Sequence, residues 1–393
     1  MIIAPRRPKL LLLTMPALLA AALTLQGCAS QPVETRDNSA LRQSIFDSVP
    51  ESWRSAAASI EDIAPLAVSP ELREFAHGAI RSNDAGRERM LSLVRAILSD
   101  DGVGLTYDPG ATLTASEAFQ TGVGNCLGFS NLLIAAAREL GIAAKYELVL
   151  RRPRWDKVQN VLVATLHIRV VSLVSGRRMV FDFYPLPLES GFSTKPLSDT
   201  DALAHHLNNL AAESMHAGDG ARAYGLLYNA LEAAPQFGFI WSNLGLLLAR
   251  HDMESAAEAA FQEALAVSPE GMSALSNLQR LYLHQEREAE ARELGARLER
   301  YRLSNPYYHA WLGERAYEQG DLEQALQHYK DAIKRKKNEP AFYVQLSSIY
   351  EDLGLTSAAV RAKQKSEDIE KPRSTNYRVG RPQPDLGSHI PRQ

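Results

Sequence analysis

Residues 312–333 read LGERAYEQGDLEQALQHYKDAI, and the pattern of small and large residues in this stretch recurs along the C-terminal half of the chain. Leucines stand 34 residues apart at Leu210, Leu244, Leu278, Leu312 and Leu346. Alanines keep the same spacing at Ala223, Ala257, Ala291, Ala325 and Ala359. Such a period is typical of helix pairs that stack into a solenoid, with small residues where two helices pack closely. The sequence therefore predicts about five helical repeats over residues 204–370.

This pattern resembles that of the tetratricopeptide repeats. The resemblance implies an all-α solenoid whose concave groove binds a protein or peptide partner. The third repeat departs from the pattern, since Gly295 stands where a bulky residue is usual and Pro306 comes late. A coincidental helical domain would show one such match and not five in phase. Residues 371–393 contain four prolines and no apolar period, so we predict a disordered tail.

The beginning of the chain has the pattern of an export signal. Residues 6–9 include three basic side chains, and the apolar run 10–25 ends at the sequence LQGC, which finishes with Cys28. A basic start followed by an apolar run and small residues is typical of a signal peptide. LQGC resembles the lipobox of bacterial lipoproteins, which implies removal of residues 1–27 and lipidation of Cys28. The alternatives are a plain signal peptide or a transmembrane anchor.

The residues after Cys28 bear on location. No Asp follows Cys28, and by resemblance to the sorting rule of enteric bacteria this implies an outer-membrane lipoprotein facing the periplasm. Each buried CH₂ of an acyl chain contributes about 0.8 kcal/mol, so several chains anchor a protein firmly. The polar residues 28–45 are predicted to form a tether between the membrane and the first domain.

Composition and charge limit the remaining functions. A chain of 393 residues fits about two or three domains, and a net charge of −3 gives no reason to expect a nucleic-acid partner. The chain has two cysteines, and if Cys28 is acylated, Cys126 is a lone thiol in an oxidising compartment. One available thiol without other ligands at metal spacing argues against zinc, and no phosphate-binding loop is present. We therefore expect no cofactor and no metal.

Residues 46–195 are predicted to form an α+β domain. Apolar residues recur at helical spacing as far as residue 98, and a well-marked helix over 127–140 is followed by Gly141, a residue typical of helix ends. Three runs rich in β-branched residues come next: AKYELVL (144–150), NVLVATLHIRVVSLV (160–174) and RMVFDFY (178–184). Ser175 and Gly176 separate the last two runs as a two-residue hairpin turn would.

The sequence GVGNCLGFSNLLIAAARELGI (122–142) places Cys126 at the start of the predicted helix. Backbone N–H groups and the helix dipole favour a thiolate at such a position and can receive a developing oxyanion. Gly122 and Gly124 would let a substrate approach the backbone closely. A nucleophilic thiol also needs a base and a group that orients the base.

His167 and Asp182 are the candidates for those two roles. Each interrupts an apolar strand. With a two-residue turn at 175–176, paired positions sum to 351, so His167 and Asp182 share a face as diagonal neighbours. The structural alternatives are an inert buried thiol at Cys126, a hydrogen-bonded strand histidine and a structural carboxylate.

These segments resemble the transglutaminase-like superfamily, whose members share a papain-like Cys, His and Asp core. The resemblance covers about residues 85–190 and implies that Cys126 is the nucleophile, His167 the base and Asp182 the residue that orients it. Gln120 is then an oxyanion candidate, with an ordinary surface glutamine as the alternative. Many relatives have an aromatic residue after the His and Pro-Thr after the Asp. Here Ile168 and the sequence FYP at 183–185 stand there, which bears on substrate type.

Two functions follow from this organisation. The first is a cysteine peptidase or amidase that acts on protein or peptide amide bonds, with hydrolysis expected over acyl transfer because water outcompetes amines unless a site excludes it. The repeats would recruit its substrate or partner. The alternative is a non-catalytic envelope adaptor that binds proteins through the repeats and keeps the first domain as a scaffold.

Overall fold

The computed structural model describes residues 39–60, 62–150, 154–156, 161–163, 166–174, 176–183 and 193–370. The predicted signal peptide 1–27, the predicted lipidation site Cys28 and the predicted tail 371–393 lie outside the described residues. Of the predicted tether, residues 39–45 are described, and they belong to helix α1 (Ser39–Asp47). None of the helices within the described ranges has the length and apolarity needed to cross a membrane.

The elements that precede the repeats form a mixed helical and β arrangement. Its further helices are α2 (Glu51–Ala58), α3 (Pro70–Gly78), α4 (Arg87–Leu98), α5 (Ala115–Thr121) and α6 (Cys126–Glu139). Its strands are β1 (Thr106–Tyr107), β2 (Val123–Gly124), β3 (Ala144–Leu150), β4 (Arg154–Asp156), β5 (Val161–Val163), β6 (Leu166–Val174), β7 (Arg177–Phe181) and β8 (Ser193–Leu197). Four strands make an antiparallel sheet in the order β7-β6-β3-β8, while β1 pairs with β2 and β4 with β5.

The register of the β6–β7 hairpin is the one predicted from the sequence. Val174 pairs with Arg177 and Val170 pairs with Phe181, so paired positions sum to 351. This confirms the register that a two-residue turn implies and puts His167 and Asp182 on one side of the sheet. Within the run 160–174, β5 pairs with β4 in a separate two-stranded sheet, whereas β6 pairs with β3.

Helix α6 is the centre of this domain. It contacts α3, α4 and α5 as well as strands β3 and β6. Every side chain from Leu127 to Ala137 is buried, so the helix has no solvent-facing stripe over that span. The chain leaves the helix at Gly141, whose φ of +71° is a conformation that glycine adopts without strain.

Residues 199–370 form five antiparallel helix pairs, which confirms the predicted helical repeats. The helices are α7 (Asp199–His216), α8 (Gly220–Ala233), α9 (Gly238–Arg250), α10 (Glu254–Val267), α11 (Met272–His284), α12 (Glu288–Ser304), α13 (Pro306–Glu318), α14 (Leu322–Arg335), α15 (Pro340–Asp352) and α16 (Thr356–Glu370). Small residues stand where the helices of a pair meet. A Cβ atom on Gly245 would lie 2.6 Å from the Phe261 ring, and one on Gly313 would lie 2.7 Å from the Tyr329 ring.

The first two helices pack with the repeats. Ile45 and Val49 belong to the apolar core of the repeats, and the Trp53 ring lies 5.8 Å from the Tyr224 ring of α8. The α+β core begins instead at about Leu66, which packs at its edge. The predicted domain 46–195 therefore includes one helix, α2, that the structure places against the repeats. Helical periodicity shows that α2 buries a face but does not show which neighbour covers that face.

Candidate active site

Cys126 is the first residue of α6 and is partly exposed. Asn125 is the N-cap, and its side-chain oxygen accepts hydrogen bonds from the backbone N–H groups of Leu127 and Gly128 at 3.0 and 2.9 Å. These two donors are therefore occupied. The N–H of Cys126 donates to none of the described residues, so it is the helix-end donor that remains for a developing oxyanion.

The loop before α5 holds this N-cap in place. Asn125 is buried, and its side-chain nitrogen donates to Oγ1 of Thr112 at 2.9 Å while its backbone N–H donates to the carbonyl of Ala111 at 3.1 Å. Gly128 lets the loop approach, since a Cβ there would lie 3.4 Å from the carbonyl oxygen of Ala111. The position of Cys126 thus depends on a loop that precedes it by about a dozen residues in sequence.

His167 lies on β6 opposite Val149 of β3 and is 1 % exposed. Its Nε2 lies 2.5 Å from Oδ1 of Asp182, and the side chain of Cys126 is close enough to the ring to raise the pKa of His167. The structure therefore brings together the three residues that the sequence predicted as a triad. Because Nε2 faces Asp182, Nδ1 is the ring nitrogen left for the thiol proton.

The surroundings of His167 favour its charged form. Burial alone would lower the pKa of His167, but the hydrogen bonds to Asp182 and Cys126 outweigh burial and raise this pKa from 6.5 to about 9. The imidazole is therefore protonated at neutral pH. An imidazolium next to a cysteine stabilises the thiolate form, which is the nucleophilic one.

Asp182 follows β7 between two aromatic residues. Phe181 is fully buried in the core, and the ring of Phe183 stacks on that of Phe129 of α6 with centroids 4.7 Å apart. This packing fixes the chain on both sides of the carboxylate. Asp182 is therefore held against His167 by the same apolar contacts that join the end of β7 to the nucleophile helix.

Gln120 is exposed near the end of α5. This exposure agrees with the alternative of a surface glutamine, and an oxyanion role for Gln120 stays a prediction. Sequence reasoning did not single out Asn125 or Thr112. The signal for Asn125 was present, because Asn directly before an apolar helix is a typical N-cap. Thr112 carried no such signal.

The described residues contain no group of three or more His, Cys, Asp or Glu side chains placed to hold a metal ion. Among them, the arrangement around Cys126 offers a thiol, a base held by a carboxylate and one backbone oxyanion donor. These are the components of nucleophilic acyl transfer through a thioester.

The comparison with known families agrees with this geometry. The profile of the transglutaminase-like superfamily matches residues 75–182, a span that contains Cys126 and His167 and ends at Asp182. Residues 75–182 are therefore a transglutaminase-like domain, and the helical repeats follow it. No curated protein sequence matches the chain.

Several solved structures are similar to the chain at low identity. MamA 41-end from Desulfovibrio magneticus RS-1 is 15% identical, and the match covers 45% of this chain and 99% of that one at a TM-score of 0.25. A second MamA crystal structure is 17% identical, with 43% and 92% coverage and a TM-score of 0.24. YrrB, described as a tetratricopeptide protein with an unusual peptide-binding site, is 17% identical, with 43% and 88% coverage and a TM-score of 0.24.

Proposed function

We propose that this protein is a cysteine hydrolase or acyltransferase of transglutaminase-like type that acts on protein or peptide amide bonds. The observation that carries the proposal is the buried His167, which hydrogen-bonds Asp182 and whose pKa is raised by both Asp182 and Cys126. Cys126 is itself partly exposed at the start of α6, so a substrate can reach its thiol.

The reaction starts when Sγ of Cys126 attacks the carbonyl carbon of the amide. His167 already carries the proton of the thiol, so the attacking group is the thiolate; the C–N bond then breaks as His167 passes this proton to the leaving amine nitrogen. The remaining thioester joins the acyl group to Cys126. Water or a second amine then attacks the thioester carbon and loses a proton to His167, and release of the acyl product restores the thiolate of Cys126 beside the imidazolium of His167.

Two parts of the site stabilise charge during these steps. The tetrahedral oxyanion lies near the start of α6, where the N–H of Cys126 is available and the helix dipole is positive. The imidazolium that forms on His167 is stabilised by Asp182 at 2.5 Å. Asp182 thereby orients the ring as well, because a bond to Nε2 keeps Nδ1 directed away from the carboxylate.

The repeats and the N-terminus complete the proposal. The groove of the repeats binds a protein or peptide partner and brings it to the transglutaminase-like domain. Lipidation of Cys28 anchors the chain in the outer membrane facing the periplasm, a location supported by the lipobox-like sequence LQGC and the absence of Asp after it. Replacing Cys28 with Ala is expected to release the protein from membranes, as fractionation would show.

The central experiment traps the acyl-enzyme. The full chain with Cys28→Ala is incubated with a mixture of glutamine- and amide-containing peptides, quenched in acid and analysed by mass spectrometry for a thioester on Cys126. We expect an adduct that disappears in Cys126→Ala and is strongly reduced in His167→Ala. Adding a primary amine separates the two outcomes, since transfer yields an amide product and hydrolysis yields an acid.

The same variants test the adaptor alternative. Cys126→Ala in the producing cell is expected to lose the function of the protein while its protein partners are still recovered with it. If Cys126→Ala retains both the function and the partners, the catalytic proposal is wrong and the transglutaminase-like domain is a scaffold.

A further inference from the structure

A cleft of about 760 Å³ lies where the repeats meet the transglutaminase-like domain. Helix α7 and the start of α8 form one wall, and the loop 110–114 and residues 56–60 and 62–64 form the others. Its volume is within the range of sites that bind small ligands or short peptide segments. Cys126 does not line it. The loop that carries Thr112 separates the cleft from the nucleophile, because Thr112 lines the cleft and also bonds the N-cap Asn125.

The charge of the cleft is negative. Four carboxylates and one guanidinium are among the charged side chains that line it: Asp62, Glu117, Glu213, Asp219 and Arg222. Glu213 is the central carboxylate, since it lines the cleft close enough to the hydroxyl and the backbone N–H of Thr112 for both to lower its pKa. Burial raises the pKa of Glu213, the bonds from Thr112 oppose this, and the charge of Asp108 adds to it. A cation in the cleft would relieve this concentration of negative charge.

A buried histidine adds a donor to the same cleft. His206 lines it while being 1 % exposed, and burial lowers the pKa of His206 to about 4, so the ring is neutral. Its Nδ1 lies 3.4 Å from the side-chain nitrogen of Asn131, whose oxygen accepts from Tyr146. Because an amide nitrogen only donates, Nδ1 is the acceptor and the proton is on Nε2. The one hydrogen bond of the His206 ring to the described residues is at Nδ1, so its Nε2–H is the donor that the cleft offers to a carbonyl oxygen.

Thr112 connects the cleft with the nucleophile helix. The side-chain nitrogen of Asn125 donates to the Thr112 hydroxyl, and Thr112 lines the cleft next to Glu213, whose pKa it lowers. The oxygen of Asn125 in turn holds the N–H groups of Leu127 and Gly128 next to Cys126. A change of charge at Glu213 therefore acts on Thr112, and through Thr112 on the hydrogen bond that positions the N-cap Asn125.

We propose that this cleft binds a lysine-bearing peptide segment and that its occupancy changes the reactivity of Cys126 through Glu213, Thr112 and Asn125. The lysine ammonium pairs with Glu213 and neighbouring carboxylates, and a peptide carbonyl accepts from Nε2 of His206. An ammonium at Glu213 competes with Thr112 for the carboxylate. This weakens the hold of Thr112 on the N-cap Asn125, and the Cys126 thiol then reacts more slowly. The regulatory half rests on the proposed function, whereas the binding half does not.

Binding is measured by calorimetry on the full chain in detergent, with N-acetyl-Lys-Lys-amide as the probe. We expect a Kd below about 1 mM. Glu213→Gln should weaken binding by about tenfold, because it removes the charge while keeping an oxygen for Thr112. Glu232→Gln, which removes an exposed carboxylate of α8 outside the cleft, is the matched control and should bind as the wild type does.

A second ligand distinguishes a peptide from a free amine. 1,5-Diaminopentane has the ammonium groups but no carbonyl, so we expect it to bind at least about fivefold more weakly, because it leaves the donor of His206 unpaired. Equal binding of the two probes would overturn the assignment to a peptide and point to a free amine. The site itself would be overturned if the dipeptide did not bind, or if it bound Glu213→Gln as tightly as the wild type.

The coupling is measured as the rate of iodoacetamide alkylation of Cys126, in a Cys28→Ala background, with and without saturating dipeptide. We expect the ligand to slow alkylation about fivefold, at the lower end of typical coupling between two sites. Thr112→Val should still bind the dipeptide but show no effect of it on the rate. An unchanged rate in the wild type with binding intact would overturn the coupling. Alkylation needs no substrate, so this outcome is separate from a failure to find the acyl-enzyme.

Discussion

Replacing Asp182 with Asn removes the negative charge that lies 2.5 Å from Nε2 of His167. In the wild type the hydrogen bonds from Asp182 and Cys126 raise the pKa of His167 from 6.5 to about 9, against the effect of burial. The difference corresponds to about 3 kcal/mol in favour of the imidazolium. Without Asp182, burial is opposed by Cys126 alone, and we expect the pKa of His167 to fall below 6.5.

This change has a consequence for stability that depends on pH. The pKa of His167 is raised in the folded protein, so the stabilisation is fully present below pH 6.5 and is lost as the pH rises through about 9. The free energy of unfolding should therefore drop in Asp182→Asn by about 3 kcal/mol at pH 6. The two proteins should differ much less at pH 10.

Two measurements check this reasoning. The pKa of His167 is read from the pH dependence of its ring NMR signals, assigned by their absence in His167→Gln, and stability is read from urea unfolding at both pH values. Asp101→Asn, which removes an exposed carboxylate of the same domain, is the control and should change neither. A His167 pKa that stays near 9 in Asp182→Asn would refute the assignment, because the charge that raises it would have to lie elsewhere.

Three further outcomes follow from the contacts described. Alkylation of Cys126 at pH 7 should be slower in His167→Ala than in the wild type, since the imidazolium that favours the thiolate is absent there; an equal rate in the two proteins would contradict the ion pair. Gly245→Ala should lower stability by about 1–3 kcal/mol in thermal unfolding, because the added Cβ would lie 2.6 Å from a ring in the repeat core. Gly78→Ala, where a Cβ meets nothing within 4 Å, is its control and should be neutral or stabilising. Glu147→Gln should lower the free energy of unfolding by about 3–5 kcal/mol, since it leaves the buried Arg169 guanidinium without this carboxylate. Hydrogen bonds from arginines outweigh burial and hold the pKa of Glu147 below 4.5, so that loss should shrink as the pH of the urea titration falls below 4.5.

Much of the candidate site could be predicted because its residues stand out locally. A thiol at the start of an apolar helix, and a His and an Asp that each interrupt an apolar strand, are visible in the sequence without knowledge of the fold. The shared face of His167 and Asp182 followed from the parity of a two-residue turn, since side chains alternate across a strand. The hairpin register in the structure agrees with that parity.

Other features could not be predicted, because they depend on contacts between distant segments. Strand β8 includes Pro196, and a proline within a run argues against a strand. The structure places β8 at the edge of the sheet next to β3, where proline is tolerated. Thr112 is a second case, since nothing in a loop sequence shows that its hydroxyl will join the nucleophile helix to Glu213 of the first repeat.

The sequence by itself determined the two architectures, the repeat length and the hairpin register. Each of these is recorded in periodic spacing, which reports how a segment buries its own apolar face. Only the tertiary structure decided that α1 and α2 pack on the repeats and that a negatively charged cleft lies behind the loop that holds Asn125. A buried face does not specify its neighbour, and that choice is made when segments far apart in sequence pack together.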